Sequence, residues 1–326
     1  IWNDFRTIEG NPPPDIVLDS SSGISHCNYM AVHDGDLYVS SHLNNRVLIF
    51  RDTPTLSSGD SPDVTLTNGI YGPGCVAVTD TALYVVNPAW VRNSGNNYVG
   101  NNNVVIFNNP TTLTNGSSPD ITLDQAPQPP LEGGLLTGSQ FAGTKHCFIA
   151  DNVLYVTCVD RHSGNHPYAT TNAVYAFSPA DALTDYQAPD YIVGGPLYDD
   201  YPMCAGHVGG RLWIGFTDYR TGLMGYGLPM STGRIPDVEL NERDTNDSAP
   251  AVPWTPEQGR LTFVPGHVDE FVSAGNILIG VSRRDDAVFG YWNASTVETN
   301  QVPDFLIWYP GMEEPTSIDI AAVSYT

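Results

Sequence analysis

The chain has 326 residues, 41% of them hydrophobic, which is enough to bury a large core, and no apolar run approaches the ~20 residues needed to span a bilayer. Its net charge of -23 comes from 36 acidic residues set against one lysine, Lys145, and twelve arginines. Such a surface repels polyanions, so nucleic acid and anionic membranes are excluded as partners and cations are favoured. The charge suits a secreted protein, extracellular or periplasmic. The chain opens on Ile1 in the middle of a repeat, so removal of an upstream segment is expected.

Six Pro-Asp pairs recur in chain order, Pro14-Asp15, Pro62-Asp63, Pro119-Asp120, Pro189-Asp190, Pro236-Asp237 and Pro303-Asp304, each opening a short run toward an outer strand. Proline at the start of an outermost strand loses no ladder bond and blunts an open edge. Four short strands per unit, divided by Gly, Asn, Pro and Asp turns, predict an all-β, six-bladed β-propeller, with seven blades as the rival count.

The first unit is predicted as Met30-Val32, Leu37-Val39, Arg46-Phe50 and Asp63-Leu66. Second and third strands then recur as Leu83-Val85 with Val104-Phe107, Leu154-Val156 with Val174-Phe177, Leu212-Ile214 with Leu223-Gly227, and Ile277-Ile279 with Val288-Tyr291. The whole chain, 1–326, reads as one propeller domain, its blades spanning roughly 24–66, 70–123, 145–193, 203–240 and 267–306. A closing blade is expected from 317–326 with 1–18, pairing Ser317-Ser324 beside Ile1-Trp2. Successive Pro-Asp pairs lie 47 to 70 residues apart, whereas the stretch from Pro303 through the C-terminus and on to Pro14 supplies only 37.

Residues 34 to 50, DGDLYVSSHLNNRVLIF, resemble NHL-type propeller repeats, most clearly in the first two units. In the fourth and fifth units Asp218-Tyr219-Arg220 and Arg283-Arg284-Asp285 replace the Asn-x-Arg signature. The resemblance implies the fold and says little of function.

In a propeller blade the start of the inner strand and the loop from second to third strand share one end, called proximal below. Proximal segments hold His26-Cys27, Tyr71 through Cys75, Lys145-His146-Cys147, Asp199 through Cys204, and His267 with Asp269 and Glu270. The other loops of that end add His42, Trp90, Arg92, His162, His166, Arg220, Arg283 and Arg284. His26, His146 and His267 are 120 and 121 residues apart, on the first, third and fifth units. Alternate blades of a six-bladed disc are related by a threefold rotation, so three imidazoles at equal height would meet on its axis. Three neutral imidazoles with an open position suit zinc or copper. The arrangement resembles the zinc site of the peptidyl-hydroxyglycine amidating lyases, whose propellers carry one histidine on each of three inner strands. His207 lies deeper and is a reserve ligand.

Cys27, Cys75, Cys147 and Cys204 recur with the repeat, and Cys158 stands apart. They are read as buried packing thiols, as cross-blade pairs of Cys27 with Cys75 and Cys147 with Cys204, or as soft ligands. Sulfur beside imidazole ranks copper ahead of zinc. Arg92, Arg220, Arg283 and Arg284 either pair with nearby aspartates or hold an anionic ligand. Motifs of serine hydrolases, helical zinc proteases, nucleotide enzymes and thioredoxin-like proteins are absent.

Function is therefore expected to be metal binding, as sequestration or as chemistry on a small substrate, and the sequence leaves open whether the protein is an enzyme. A non-catalytic scaffold that presents the proximal face to a small-molecule or protein ligand is the alternative. A calcium-dependent, lactonase-like hydrolase using Asp269, Glu270 and Asp319 is the third reading.

Overall fold

The computed structural model describes residues 15–88, 91–92, 98–99, 103–123, 144–158, 173–194, 202–218, 221–230, 236–240, 268, 270–282, 287–299 and 301–308. The chain forms two compact units, Ile1–Leu123 and Asp124–Thr326.

Five four-stranded antiparallel sheets, each a propeller blade, account for nearly all the described strands. In the first unit, blade one is β1 (Cys27–His33), β2 (Asp36–Ser41), β3 (Arg46–Phe50) and β4 (Val64–Leu66). Blade two starts with β5 (Cys75–Val78) and β6 (Ala82–Asn87). A ribbon of β7 (Val91–Arg92) and β8 (Tyr98–Val99) intervenes before the blade ends with β9 (Asn103–Asn108) and β10 (Ile121–Leu123).

In the second unit, blade three is β11 (Thr144–Ala150), β12 (Val153–Cys158), β13 (Ala173–Phe177) and β14 (Tyr191–Gly194). Blade four is β15 (Pro202–Val208), β16 (Arg211–Asp218), β17 (Thr221–Gly227) and β18 (Val238–Leu240). Blade five is β19 (Glu270–Ala274), β20 (Ile277–Ser282), β21 (Ala287–Tyr291) and β22 (Phe305–Trp308). Among the described residues no helix is long and apolar enough to cross a membrane.

The middle strands are apolar at nearly every position because both of their faces are covered. In blade one, Tyr38, Val47 and Ile49 pack toward blade two with Val76, Leu83, Val85 and Phe107. Leu37, Val39, Leu48 and Phe50 point the other way and pack with Leu18, Ile24 and Leu56. In the second unit, Tyr155, Val174 and Val193 share one core with Leu212, Ile214 and Met224 of blade four. Trp213, Leu223 and Val238 share another with Phe271, Leu278 and Phe289 of blade five.

The Pro-Asp signature has a physical role that repeats in all five blades. The aspartate N–H donates to a carbonyl of the third strand, as in Asp63 to Ile49 at 2.9 Å, Asp120 to Ile106 at 2.8 Å, Asp190 to Ala176 at 2.8 Å, Asp237 to Gly225 at 2.8 Å and Asp304 to Gly290 at 2.9 Å. The same carboxylate then accepts the N–H of the residue two positions beyond that carbonyl: Arg51 at 2.8 Å, Asn108 at 2.7 Å, Ser178 at 2.5 Å, Trp292 at 2.7 Å, and Gly227 likewise. Proline opens the strand and aspartate clamps it to its neighbour.

Six or seven blades were the expectation; the described residues hold five. The sixth Pro-Asp pair misled the count. The segment just after Asp15 covers blade one instead of adding a strand: Val17 N–H donates to Ser58 Oγ at 2.9 Å, and its carbonyl accepts from Gly59 N–H at 3.1 Å. Asp19 caps the short 3-10 turn Ser20–Ser22, and Leu18 and Ile24 lie on the Leu48 and Phe50 side of the core. The expected pairing of Ser317-Ser324 with Ile1-Trp2 lies outside the described residues.

Candidate functional site

The proximal end of blade one is built from three neighbouring loops in the first unit. Residues 23–26 run into β1, a 3-10 turn His42–Asn44 joins β2 to β3, and residues 69–74 lead into β5. Main-chain bonds tie the first loop to the second: His42 N–H donates to the His26 carbonyl at 3.0 Å, and Leu43 N–H to that of Ser25 at 3.3 Å. Ser41 Oγ accepts the Ser25 N–H at 2.8 Å, and Asn44 Nδ2 donates to the Gly23 carbonyl at 3.2 Å.

The third loop is fixed as firmly. Gly72 N–H donates to Asn45 Oδ1 at 2.8 Å, while Tyr71 N–H donates to Asn87 Oδ1 at 2.9 Å. Asn87 is fully buried and donates to the Gly69 carbonyl and Asn103 Oδ1, each at 2.8 Å.

On this frame stand two imidazoles. His42 Nδ1 lies 2.9 Å from the Gly72 carbonyl oxygen. A carbonyl only accepts, so Nδ1 carries the proton. The His26 ring is 5.8 Å from that of His42, centroid to centroid, tilted by 53°. His26 is exposed and has a φ of +56°, the left-handed region that a histidine visits only occasionally.

His146 is placed differently. It lies inside β11, only 7% exposed, and its N–H donates to Thr157 Oγ1 at 3.0 Å. The register sets Tyr29, Cys75, Cys204 and Glu270 opposite Ser40, Val86, Gly215 and Val281, and His146, one residue before the Cys147 to Val156 pair, takes the same place in its blade. His26 precedes that place by three residues and is followed by a bulge between Cys27 and Tyr29. His267 lies outside the described residues, as do His162, His166, Trp90, Arg220, Arg283, Arg284, Asp269 and Asp319.

His207 sits at the far end of β15, with Nδ1 3.1 Å from Asp151 Oδ2 in the turn between β11 and β12. His33, at the far end of β1, pairs in the same manner with Asp80 at 2.9 Å. These two histidines serve the distal end of the blades.

None of the five cysteines is joined in a disulfide, and four of them are buried. Cys75 donates weakly to the Val76 carbonyl, and Cys204 lies in the core of blades four and five, packed on Val268. Burial pushes the Cys158 thiol well above its ordinary pKa. Cys27 is exposed at the strand edge, yet the protein packed about its sulfur raises its pKa too, against a smaller opposing effect of its bond to the Tyr29 carbonyl. Neither proposed cysteine pair is formed, and the sulfurs of Cys75 and Cys204 are occupied in packing. Among the described residues no group of three or more His, Cys, Asp or Glu side chains gathers as a metal-binding set.

No protein-family model matches the chain, and similarity to NHL repeats or to the amidating lyases is not shown. No curated protein matches it either. Among solved structures it is similar to the WD40 β-propeller domain of Doa1, at 10% identity over 85% of this chain and 67% of that one, with a TM-score of 0.46. It is similar to a putative 6-phosphogluconolactonase from Bacteroides uniformis, at 9% identity over 83% and 67%, with a TM-score of 0.45. A nidogen/laminin complex gives 8% identity over 88% and 82%, with a TM-score of 0.48. At these values the propeller assignment rests on the chain's own five blades.

Proposed function

We propose that the protein is a metal-binding β-propeller of the cell exterior or periplasm, holding a transition metal, copper or zinc, through histidines at the proximal ends of its inner strands. His26, His146 and His267 are the residues from which the sequence draws the ligands. The observation that carries the reading is the backbone of His26. A non-glycine residue in the left-handed region costs on the order of 1 kcal/mol and persists where its surroundings hold it. His26 is exposed, and its ring stands 5.8 Å from that of His42, centroid to centroid. The charge of -23 draws cations to the surface and repels polyanions.

Cys75 and Cys204 are committed to the core, and the donors proposed at this end are imidazole nitrogens. Imidazole nitrogen accepts zinc and copper(II) alike and binds copper more tightly. Metal content of the native protein, followed by equilibrium dialysis against zinc and copper(II), tests the reading. One ion retained per chain is expected; a protein that comes metal-free and takes up neither ion refutes it.

Presentation of the proximal end to a protein or small-molecule ligand is the second reading. It is favoured by two exposed hydrophobic side chains beside the imidazoles, Leu43 at 66% and Tyr71 at 39%. Such residues suit a surface that is covered on binding.

A further inference from the structure

We infer that the metal is held within the first unit by His26 and His42 together, an open two-imidazole site that needs no ligand from another blade. The inference rests on the metal-binding reading above and replaces its ligand set.

Three features converge on this pair. The first is distance. A ring nitrogen binds zinc or copper at about 2.0–2.1 Å, which puts the ion roughly 3.2 Å from the ring centroid. Two imidazoles on one ion then have centroids about 4.5 Å apart at a right-angled arrangement and about 6.4 Å apart at a linear one. The observed 5.8 Å falls inside that range.

The second feature is the tautomer. Metal-bound histidines commonly donate their other ring N–H to a carbonyl or carboxylate, which orients the ring and raises its basicity. His42 does this already, because its Nδ1–H is spent on the Gly72 carbonyl and the Nε2 lone pair is left for an ion. Gly72 is itself anchored by Asn45, so the donor is oriented before any metal arrives.

The third feature is that His26 and His42 are locked to each other through the main chain. His42 N–H donates to the His26 carbonyl, and the two rings lie 5.8 Å apart on that frame. Two protein nitrogens leave the remaining coordination positions to water or to a donor atom of a ligand. A site of that kind suits an ion that is presented or exchanged better than one that is caged.

The test is titration of the intact protein with zinc and, separately, copper(II), followed by calorimetry and by histidine ¹⁵N chemical shifts. One ion per chain is expected, with copper bound more tightly than zinc. His26→Ala and His42→Ala should each weaken binding at least ten-fold, whereas His146→Ala, His267→Ala and Cys27→Ser should change it less than three-fold. Asn45→Ala, which frees Gly72, should weaken binding several-fold with the fold intact. Before metal is added His42 should be in the Nδ1–H form, and metal should shift the Nε2 resonance of His42 together with one nitrogen of His26. Binding that survives His42→Ala but is lost in His146→Ala or His267→Ala overturns this inference and keeps the broader metal reading. Absence of binding in the wild-type protein overturns both, and an Nε2–H tautomer at His42 overturns the inference alone.

Discussion

Replacing Asp120 by alanine isolates the clamp that recurs in every blade. The substitution keeps the backbone bond from residue 120 to Ile106 and deletes the carboxylate that accepts the Asn108 N–H at 2.7 Å. Side-chain caps of this type contribute about 0.5–2 kcal/mol, and a charged acceptor on an exposed N–H belongs near the middle, so a loss of about 1 kcal/mol is expected. Charge works in the opposite direction, because removing one carboxylate relieves repulsion in a chain of net charge -23. Urea denaturation separates the two effects when Asp120→Ala is compared with Asp120→Asn, which keeps an acceptor oxygen, and with Glu298→Gln as a charge control at an exposed site. The expected order of stability is Glu298→Gln at or above wild type, then Asp120→Asn, then Asp120→Ala. Asp63→Ala, in the neighbouring blade, should cost the same and add to the first within about 0.5 kcal/mol. An alanine variant as stable as wild type, or no better served by asparagine, would refute the clamp.

Other outcomes follow from packing and ionisation. A Cβ on Gly206 would come within 2.3 Å of the Phe271 ring between blades four and five, so Gly206→Ala should cost about 1–3 kcal/mol by urea denaturation, and an unchanged midpoint would contradict that packing. Arg211 Nη1 donates to the carbonyls of Ala294 and Val297, both at 3.1 Å, and its guanidinium lies 5.9 Å from the centre of the Trp213 ring, so Arg211→Ala should destabilise the second unit by roughly 2 kcal/mol. Burial holds the Tyr155, Tyr175 and Tyr291 hydroxyls far above their ordinary pKa. Below about pH 10 both folded and unfolded chains keep these protons, and above it the unfolded chain releases them first. Stability should therefore fall as pH rises past 10, by about 1.4 kcal/mol per pH unit for each tyrosine, and Tyr175→Phe should make that slope shallower by one group's share.

Strand identity was legible in the sequence because both faces of the middle strands are buried, which writes runs such as Val47 to Phe50 and Leu83 to Val86 in uninterrupted apolar letters. Pro-Asp marked each outer strand for a reason that proved structural. Blade count was not legible from the same signal. Pro14-Asp15 carries the motif, but the residues after it are held by Ser58 and Gly59 as a cover on blade one.

At the site, counting 120 residues between histidines measured sequence and not register. The ladders set His146 at the place of Tyr29, three positions beyond His26, and the one-residue bulge before that place is common to both blades. His42 was visible among the proximal loop residues, and the partnership was missed because it depends on a 3-10 turn, a left-handed residue and a carbonyl from the next blade. A signal was present even so: the start of the inner strand and the second-to-third loop share an end within one blade, which makes His26 and His42 nearer neighbours than histidines two blades apart.

X-ray absorption at the metal edge of the zinc- or copper-loaded protein reads the ligand set directly. Two imidazole nitrogens at about 2.0–2.1 Å, completed by light oxygen donors, are expected. A spectrum that requires sulfur at about 2.3 Å, or one with no imidazole scattering, would contradict the account.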